Sequence, residues 1–241
     1  MTISSPLKLD TTYNPAGLWN FDGDLLDEGF AGDDLTVARG DTTYALGHAY
    51  GTKGFFFRDS NVGIDGAANA ALQTIGDVTV QAVIRWSEMG AGSFGSEILT
   101  CKGASSGPEA NNVAWGLMIQ NISANLTPEF IWQHGAGTTV RVQAPSTFTL
   151  TPSRWYHMVG RRTDVGGGQS LGELFVNGTL IASATYTNAT GATTSYVTLG
   201  LDAVSNVDLK KSTISSAKVV NRALTDAELS LEFTRVREAI R

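Results

Sequence analysis

The stretch from Asp22 to Asp34 carries five aspartates and one glutamate, Glu28. Carboxylates at this density can hold a hard cation or, in pairs, move protons. Ca2+ takes about six to eight oxygens from carboxylates, amides and carbonyls. This loop offers such oxygens, though without the spacing of an EF-hand, and Asp202 follows the segment Val197 to Leu201 with a further carboxylate. The plainer role is turn formation, because aspartate stabilises turns and keeps strand edges soluble.

Proton chemistry is less well provided for. Glycoside hydrolysis uses two acids, one protonating the leaving oxygen while the other attacks or activates water. The strand spacing Glu-x-Asp-x-x-Glu occurs nowhere in the chain. Glu97 stands alone on its segment, Glu173 sits beside a hairpin turn, and Glu228, Glu232 and Glu238 fall in a terminal helix. No residue is therefore assigned a catalytic role, and a glycoside hydrolase with a non-standard carboxylate pair is kept as an alternative. His48, His134 and His157 are not at metal-ligand spacing from one another or from Cys101. His157 is expected to pack or hydrogen-bond within its strand, and His134 to sit at a solvated hairpin tip. With one cysteine, neither an intrachain disulfide nor a multi-cysteine metal site forms.

Ligands without chemistry are held by aromatic and polar side chains on loops. Trp19, Trp86, Trp115 and Trp155 follow strand alternation and read as core. Phe94, amid Gly and Ser in a loop, and Trp132 are the aromatic candidates for ligand or partner contact.

The elements that must position these residues are strands. The chain has 241 residues, 42% hydrophobic, with 27 scattered glycines, enough for one core built of short strands and tight turns. The formal net charge of −6 and the lack of a basic stripe exclude nucleic acid as a partner. Arg161-Arg162 and Lys210-Lys211 are isolated pairs, expected on solvated strand edges. No run of about 18 apolar residues could insert in a membrane. Met1 to Asp10 lacks the charged start and apolar run of a secretory leader, so the expected site of synthesis is the cytoplasm. The triplets opened by Asn121, Asn125, Asn177 and Asn188 then read as chance matches to a glycosylation signal.

Residues 1–14 read as an extended arm, 15–224 as one β-sandwich and 225–241 as an amphipathic helix. Residues 77–86 alternate cleanly: Val78, Val80, Ala82, Ile84 and Trp86 share one face, with Thr79, Gln81 and Arg85 on the other. Residues 113–120 are apolar on both faces, as in a central strand. Residues 129–134 and 138–143 form a hairpin around Gly135-Ala136-Gly137. Asn177-Gly178 has the composition of a type I′ turn, and Gly166-Gly167-Gly168 reads as a flexible turn. Thr225 caps the helix, with Glu228 completing a capping box. Leu229, Phe233, Val236 and Ile240 make one apolar stripe, which packs on the sandwich or, alternatively, docks on another subunit.

Several of these segments share a common pattern. Ser212 to Leu229, with Asn221-Arg222-Ala223-Leu224-Thr225-Asp226-Ala227-Glu228, resembles the closing strand and turn of laminin-G-like domains in the concanavalin A-like lectin/glucanase superfamily. Gly17-Leu-Trp19-Asn-Phe-Asp22-Gly resembles the opening of that family, and Gly54 to Ile64 its Phe-Asp-Gly-Ser-Asn turn segment. Val78 to Arg85, Trp155-Tyr-His157-Met-Val and Leu174-Phe-Val-Asn-Gly178 resemble its Phe-Thr-Val-Ser-Ala-Trp-Val-Arg, Trp-His-His-Val-Ala and Leu-Tyr-Val-Asp-Gly segments. The resemblance runs from about Gly17 to Leu229. It implies an all-β, two-sheet antiparallel jelly-roll sandwich, with sheets about 10 Å apart, ending in the C-terminal helix. It also implies glycan or protein ligands rather than catalysis. Calcium is often bound at a loop edge, here through Asp22, Asp27 and Asp202. Ser215 and Ser216 stand where many relatives have an acid, which removes whatever that acid does. Domains of this kind occur among bacteriophage structural proteins, so the resemblance implies a virion protein. Its partners would be glycans or other virion structural proteins, and it would be a homo-oligomer or bound to a larger assembly. A soluble lectin-like module is the alternative.

Overall fold

The computed structural model describes residues 9, 11–21, 28–29, 31–32, 34, 36–39, 43–46, 53–57, 63–72, 76–86, 96–103, 113–122, 125–133, 139–187, 195–200 and 212–240. The strands, in chain order, are β1 (Gly17–Asn20), β2 (Thr36–Arg39), β3 (Thr43–Leu46), β4 (Lys53–Phe57), β5 (Gly63–Ala68), β6 (Val78–Trp86), β7 (Ser96–Gly103), β8 (Val113–Ile122), β9 (Asn125–Gln133), β10 (Thr139–Gln143), β11 (Trp155–Gly166), β12 (Gln169–Val176), β13 (Thr179–Thr187), β14 (Ser195–Leu199) and β15 (Ser212–Val220). One helix, α1 (Asp226–Ile240), follows. The strands make two antiparallel sheets. Sheet A has the order β13-β12-β11-β6-β15-β4-β3, with β1 also paired to β15; sheet B has the order β10-β9-β8-β7-β14-β5-β2. This is the predicted all-β jelly-roll sandwich with a C-terminal helix. Among the described residues no helix is long and apolar enough to cross a membrane.

Alternation builds the core. Val78, Val80, Ala82 and Ile84 of β6 turn inward, as their period-two spacing requires, and meet Trp115, Leu117 and Ile119 of β8 and Phe130 and Trp132 of β9 in one buried cluster. Room for the two β9 aromatics comes from glycine. A Cβ on Gly160 of β11 would lie 2.1 Å from the Phe130 ring, and one on Gly172 of β12 would lie 2.0 Å from the Trp132 ring. The hairpin turns follow the sequence chemistry. Asn177 and Gly178 have φ of 51° and 75°, the left-handed pair that a type I′ turn needs, and they join Val176 to Thr179.

The outer face of sheet A departs from the sequence reading. Thr79 and Gln81, on the polar face of β6, are fully buried. They are covered because α1, Leu9 and Tyr13 lie over β6, β11 and β15. Leu9, Leu18, Val83, Trp155 and Val236 form one apolar cluster there, and Val159, Phe175, Val220, Leu224 and Leu229 form another, with Tyr13 packed against it. The helix start is fixed by its box: the Glu228 amide donates to Thr225 Oγ1 at 3.3 Å and the Thr225 amide donates to Glu228 Oε2 at 2.7 Å. So α1 packs its Leu229 and Val236 stripe on the sandwich, as the first of the two helix readings expects.

A buried ion pair seats the helix. Lys218 Nζ of β15 donates to Glu232 Oε1 of α1 at 3.2 Å, with both side chains almost wholly inaccessible. Removing one partner of a buried pair strands the other charge and costs about 3–5 kcal/mol, whereas replacing both with apolar residues of similar volume is often neutral or stabilising. Glu232→Ala is therefore expected to lower unfolding stability by about 3–5 kcal/mol in chemical denaturation, and the double variant Lys218→Met, Glu232→Leu to restore most of that loss. Equal stability of the single variant and the parent would contradict this account.

Candidate functional site

Of the residues singled out from sequence, Asp22, Asp27, Asp202 and Phe94 lie outside the described residues, as do His48 and His134. Trp132 is placed clearly: its ring sits in the sandwich interior, 5.3 Å from the Phe130 ring and 5.7 Å from that of Tyr186, and 1% exposed. It offers no face to a ligand. Among the described residues no group of three or more His, Cys, Asp or Glu side chains is arranged to hold a metal ion.

Two outer faces remain as sites. On sheet A, the face under α1 is rich in polar groups but closed. His157 Nε2 meets Gln81 Oε1 at 2.9 Å across to the neighbouring strand, and its ring stacks on Phe233 at 6.4 Å. Burial, and after it the positive charge of Lys218, push the imidazole down to about 3. The ring is therefore neutral at any ordinary pH. Arg161 Nε donates to Glu173 Oε2 at 2.6 Å and its Nη1 contacts Asp226 Oδ1 at 2.7 Å and the Leu224 carbonyl at 2.6 Å. Burial acts to lower this guanidinium, but the hydrogen bonds to Glu173 and Asp226 outweigh it and raise it. Arg162 Nε donates to Ser170 Oγ at 3.1 Å, and burial lowers it. The Arg161-Arg162 pair expected on a solvated edge is thus buried, 8% and 5% exposed. Neither strand beside β11 is an edge on that stretch: it is flanked by β6 and β12. Arg161 turns outward beneath the helix start, and Arg162 turns inward toward Ser170.

The N-terminal segment completes this lid. Tyr13 has a φ of 74° and Asn14 of 49°, a left-handed turn that sets the Tyr13 ring 5.3 Å from Lys218 Nζ and 5.2 Å from the Arg222 guanidinium. The Leu9 amide donates to Ser216 Oγ at 3.4 Å, and the Phe21 amide to the Ser215 carbonyl at 3.2 Å. Ser216 through its hydroxyl and Ser215 through its backbone carbonyl thus tie down the N-terminal chain. Arg222 and Glu228 close the margin: hydrogen bonds from Arg222, then the Thr225 amide, hold the Glu228 carboxyl down at about 2.

The outer face of sheet B reaches solvent at its β10 side, where Gln143 is exposed and Gln120 and Arg141 are half-buried, while Met118, Glu129 and Ile131 are fully buried. Register places Met118, Glu129 and Gln143 in one row across β8, β9 and β10, and Gly116, Ile131 and Arg141 in the next. Side chains of residues directly opposite share a face. Val113, Met118 and Ile131 form a small apolar floor. Toward the β10 edge the floor gives way to polar groups. Glu129, fully buried, accepts from Arg141 Nη1 at 3.3 Å, while the Arg141 side chain stays 31% exposed. Gln143 Nε2 donates to Gln120 Oε1 at 3.0 Å across β9, and Gln143 is exposed. A half-exposed guanidinium held by a carboxylate, beside two amides that each carry donor and acceptor groups, suits a polyhydroxylated ligand. The sequence reading missed these four residues. The signal was present in the hairpin of residues 129–143, whose register brings Glu129 and Arg141 diagonally together.

The family model Laminin_G_3, described as concanavalin A-like lectin/glucanases superfamily, matches residues 59–230. No curated protein matches the sequence. Among solved structures, the receptor binding domain of botulinum neurotoxin C/D mosaic serotype superposes with a TM-score of 0.69 at 16% identity, over 92% of this chain and 51% of that one. The binding domain of botulinum neurotoxin DC in complex with SialylT gives a TM-score of 0.66 at 14% identity, over 94% and 52%. The botulinum neurotoxin serotype D ligand binding domain, in complex with N-acetylneuraminic acid, gives 0.68 at 16%, over 92% and 50%. The chain spans about half the length of these neighbours, and the likeness carries the fold.

The buried His157 makes stability depend on pH. Its folded value of about 3 lies below the ordinary 6.5, so as pH falls below 6.5 the unfolded chain takes up a proton that the folded one refuses. Stability then falls with pH by at most about 1.4 kcal/mol per unit. Between pH 6.5 and 5, above the range where carboxylates titrate, denaturation of the parent is expected to show this slope and His157→Leu to flatten it. Parallel curves for the two would contradict it.

Proposed function

Because the chain belongs to the Laminin_G_3 family of the concanavalin A-like lectin/glucanase superfamily, we propose that it is a non-enzymatic glycan-recognition domain that binds through the outer face of sheet B. The observation that carries this reading is the Glu129–Arg141 pair flanked by Gln120 and Gln143. Its polar groups are fixed by each other before any ligand arrives, so little ordering entropy opposes binding. Glu129 is fully buried and neutralised by a guanidinium, whereas a glycosidase needs an acid free to give up a proton and a second free to attack. Support also comes from two neighbours solved in complex with SialylT and with N-acetylneuraminic acid. The exposed part of Arg141 suits the carboxylate of an acidic sugar.

The virion surface expected from the sequence is a setting for the same recognition, with virion structural proteins as further partners and synthesis in the host cytoplasm. It is tested by whether purified particles carry the chain. Calcium at Asp22, Asp27 and Asp202 is a proposal of the family resemblance. A melting temperature lowered by chelator and restored by Ca2+ supports it, and one indifferent to chelator removes it.

The glycan reading is tested on an array holding neutral and sialylated glycans. Binding is expected for the parent, with no release of reducing sugar. Loss of a hydrogen bond involving a charged group costs about 1.5–3 kcal/mol, or roughly tenfold to a hundredfold in affinity. Arg141→Lys and Gln143→Ala should each weaken binding to about that extent or somewhat less. Gln143→Ala, on an exposed side chain, should leave stability within about 0.5 kcal/mol. A parent that binds no glycan, or variants that bind as the parent does, would overturn the reading.

A further inference from the structure

We infer that β13 is a self-association edge, through which two copies of this chain join their A sheets antiparallel about a two-fold axis. Among the described residues β13 closes one end of sheet A and pairs with β12 alone. Its sequence, Thr179-Leu-Ile-Ala-Ser-Ala-Thr-Tyr-Thr187, has no charge and no proline. Those are the devices by which edge strands are usually kept from pairing. One register irregularity is present, opposite Leu174 and Phe175. It sits near the Asn177-Gly178 turn and leaves Ala182 to Thr187 regular. Thr179, Leu180, Ser183, Thr185 and Thr187 are exposed, Leu180 at 47%.

The edge itself selects its occupant. The other strands that end a sheet, β3, β2 and β10, and β1 beside β15, have four, four, five and four residues. Against any of these, half of β13 would stay unpaired, so the full-length match for a nine-residue edge is another β13. Two-fold antiparallel pairing sets the strand against itself, which brings any charge it carried near its own copy. β13 carries none, so no like charges meet in any register. The small side chains of Ala182, Ser183 and Ala184 let the two backbones approach. The resulting contact is made edge to edge at β13, whereas Gln120, Arg141 and Gln143 lie on the outer face of sheet B of each copy. The dimer is therefore bivalent.

The test is sedimentation velocity of the full chain across a wide concentration range, with Ser183→Lys and Thr185→Lys as edge variants and Ser230→Lys, exposed on α1, as control. The parent and Ser230→Lys are expected to sediment as dimers. Each edge lysine, at an exposed position that keeps the circular dichroism spectrum, should weaken dimerisation by about tenfold or more. A monomeric parent throughout, or edge variants that dimerise as the parent does, would overturn the inference. Affinity for a single soluble glycan is measured separately. It should be unchanged in the edge variants, so that failure of dimerisation and failure of glycan binding are told apart.

Discussion

The contact on which the arrangement depends is the buried pair between Lys218 of β15 and Glu232 of α1. Taking two charges out of water costs several kcal/mol for each ion, and good geometry repays it only in part. Such a pair is a poor source of raw stability and a good source of registry. α1 has apolar residues that could slide along an apolar face, but only one seating places Glu232 against Lys218. The same lysine acts beyond its partner. Its charge helps keep His157 neutral, and it lies against the Tyr13 ring, so helix, N-terminal segment and sheet are set around one ammonium group.

That seating decides where a ligand can be held. A sandwich has two outer faces, and here one of them is spent on the lid formed by α1, Leu9 and Tyr13. Polar residues on the covered face, Gln81, His157 and Arg161 among them, serve the closure rather than recognition. The outer face of sheet B is supported from behind by the core: Phe130 and Trp132 fill the space left by Gly160 and Gly172, which holds β9 firmly while its outward residues, Glu129 and Ile131, face the other way. A rigid strand carrying a fixed ion pair is what a preorganised binding face requires.

Much of this was legible in the sequence where the cause is local. Asn177-Gly178 specifies its turn by backbone sterics alone, and Thr225 with Glu228 specifies a helix start over four residues. Alternation in Val78 to Ile84 specifies which side chains enter the core. What could not be read depends on partners distant in the chain. Thr79 and Gln81 look like a solvated face because nothing nearby announces that residues from both termini will cover them. Arg161 and Arg162 look like surface charges for the same reason, since Glu173 and Asp226 arrive from another strand and from the helix start. Trp132 was ambiguous because a strand's alternation does not say which face is core until its neighbours are known. Glu129 and Arg141 lie in a hairpin legible from the sequence, but which of its residues meet depends on a register that the Gly135-Ala136-Gly137 turn does not specify. Asp22, Asp27, Asp202 and Phe94 fall outside the described residues.

The most direct test of the central claim, that the helix seat closes sheet A and leaves recognition to sheet B, is hydrogen exchange read by mass spectrometry with and without a bound glycan. Slowed exchange in β8, β9 and β10, with β6, β15 and α1 unchanged, is the predicted result. Protection appearing instead in β15 and α1, or α1 exchanging as though undocked in the free protein, would contradict it.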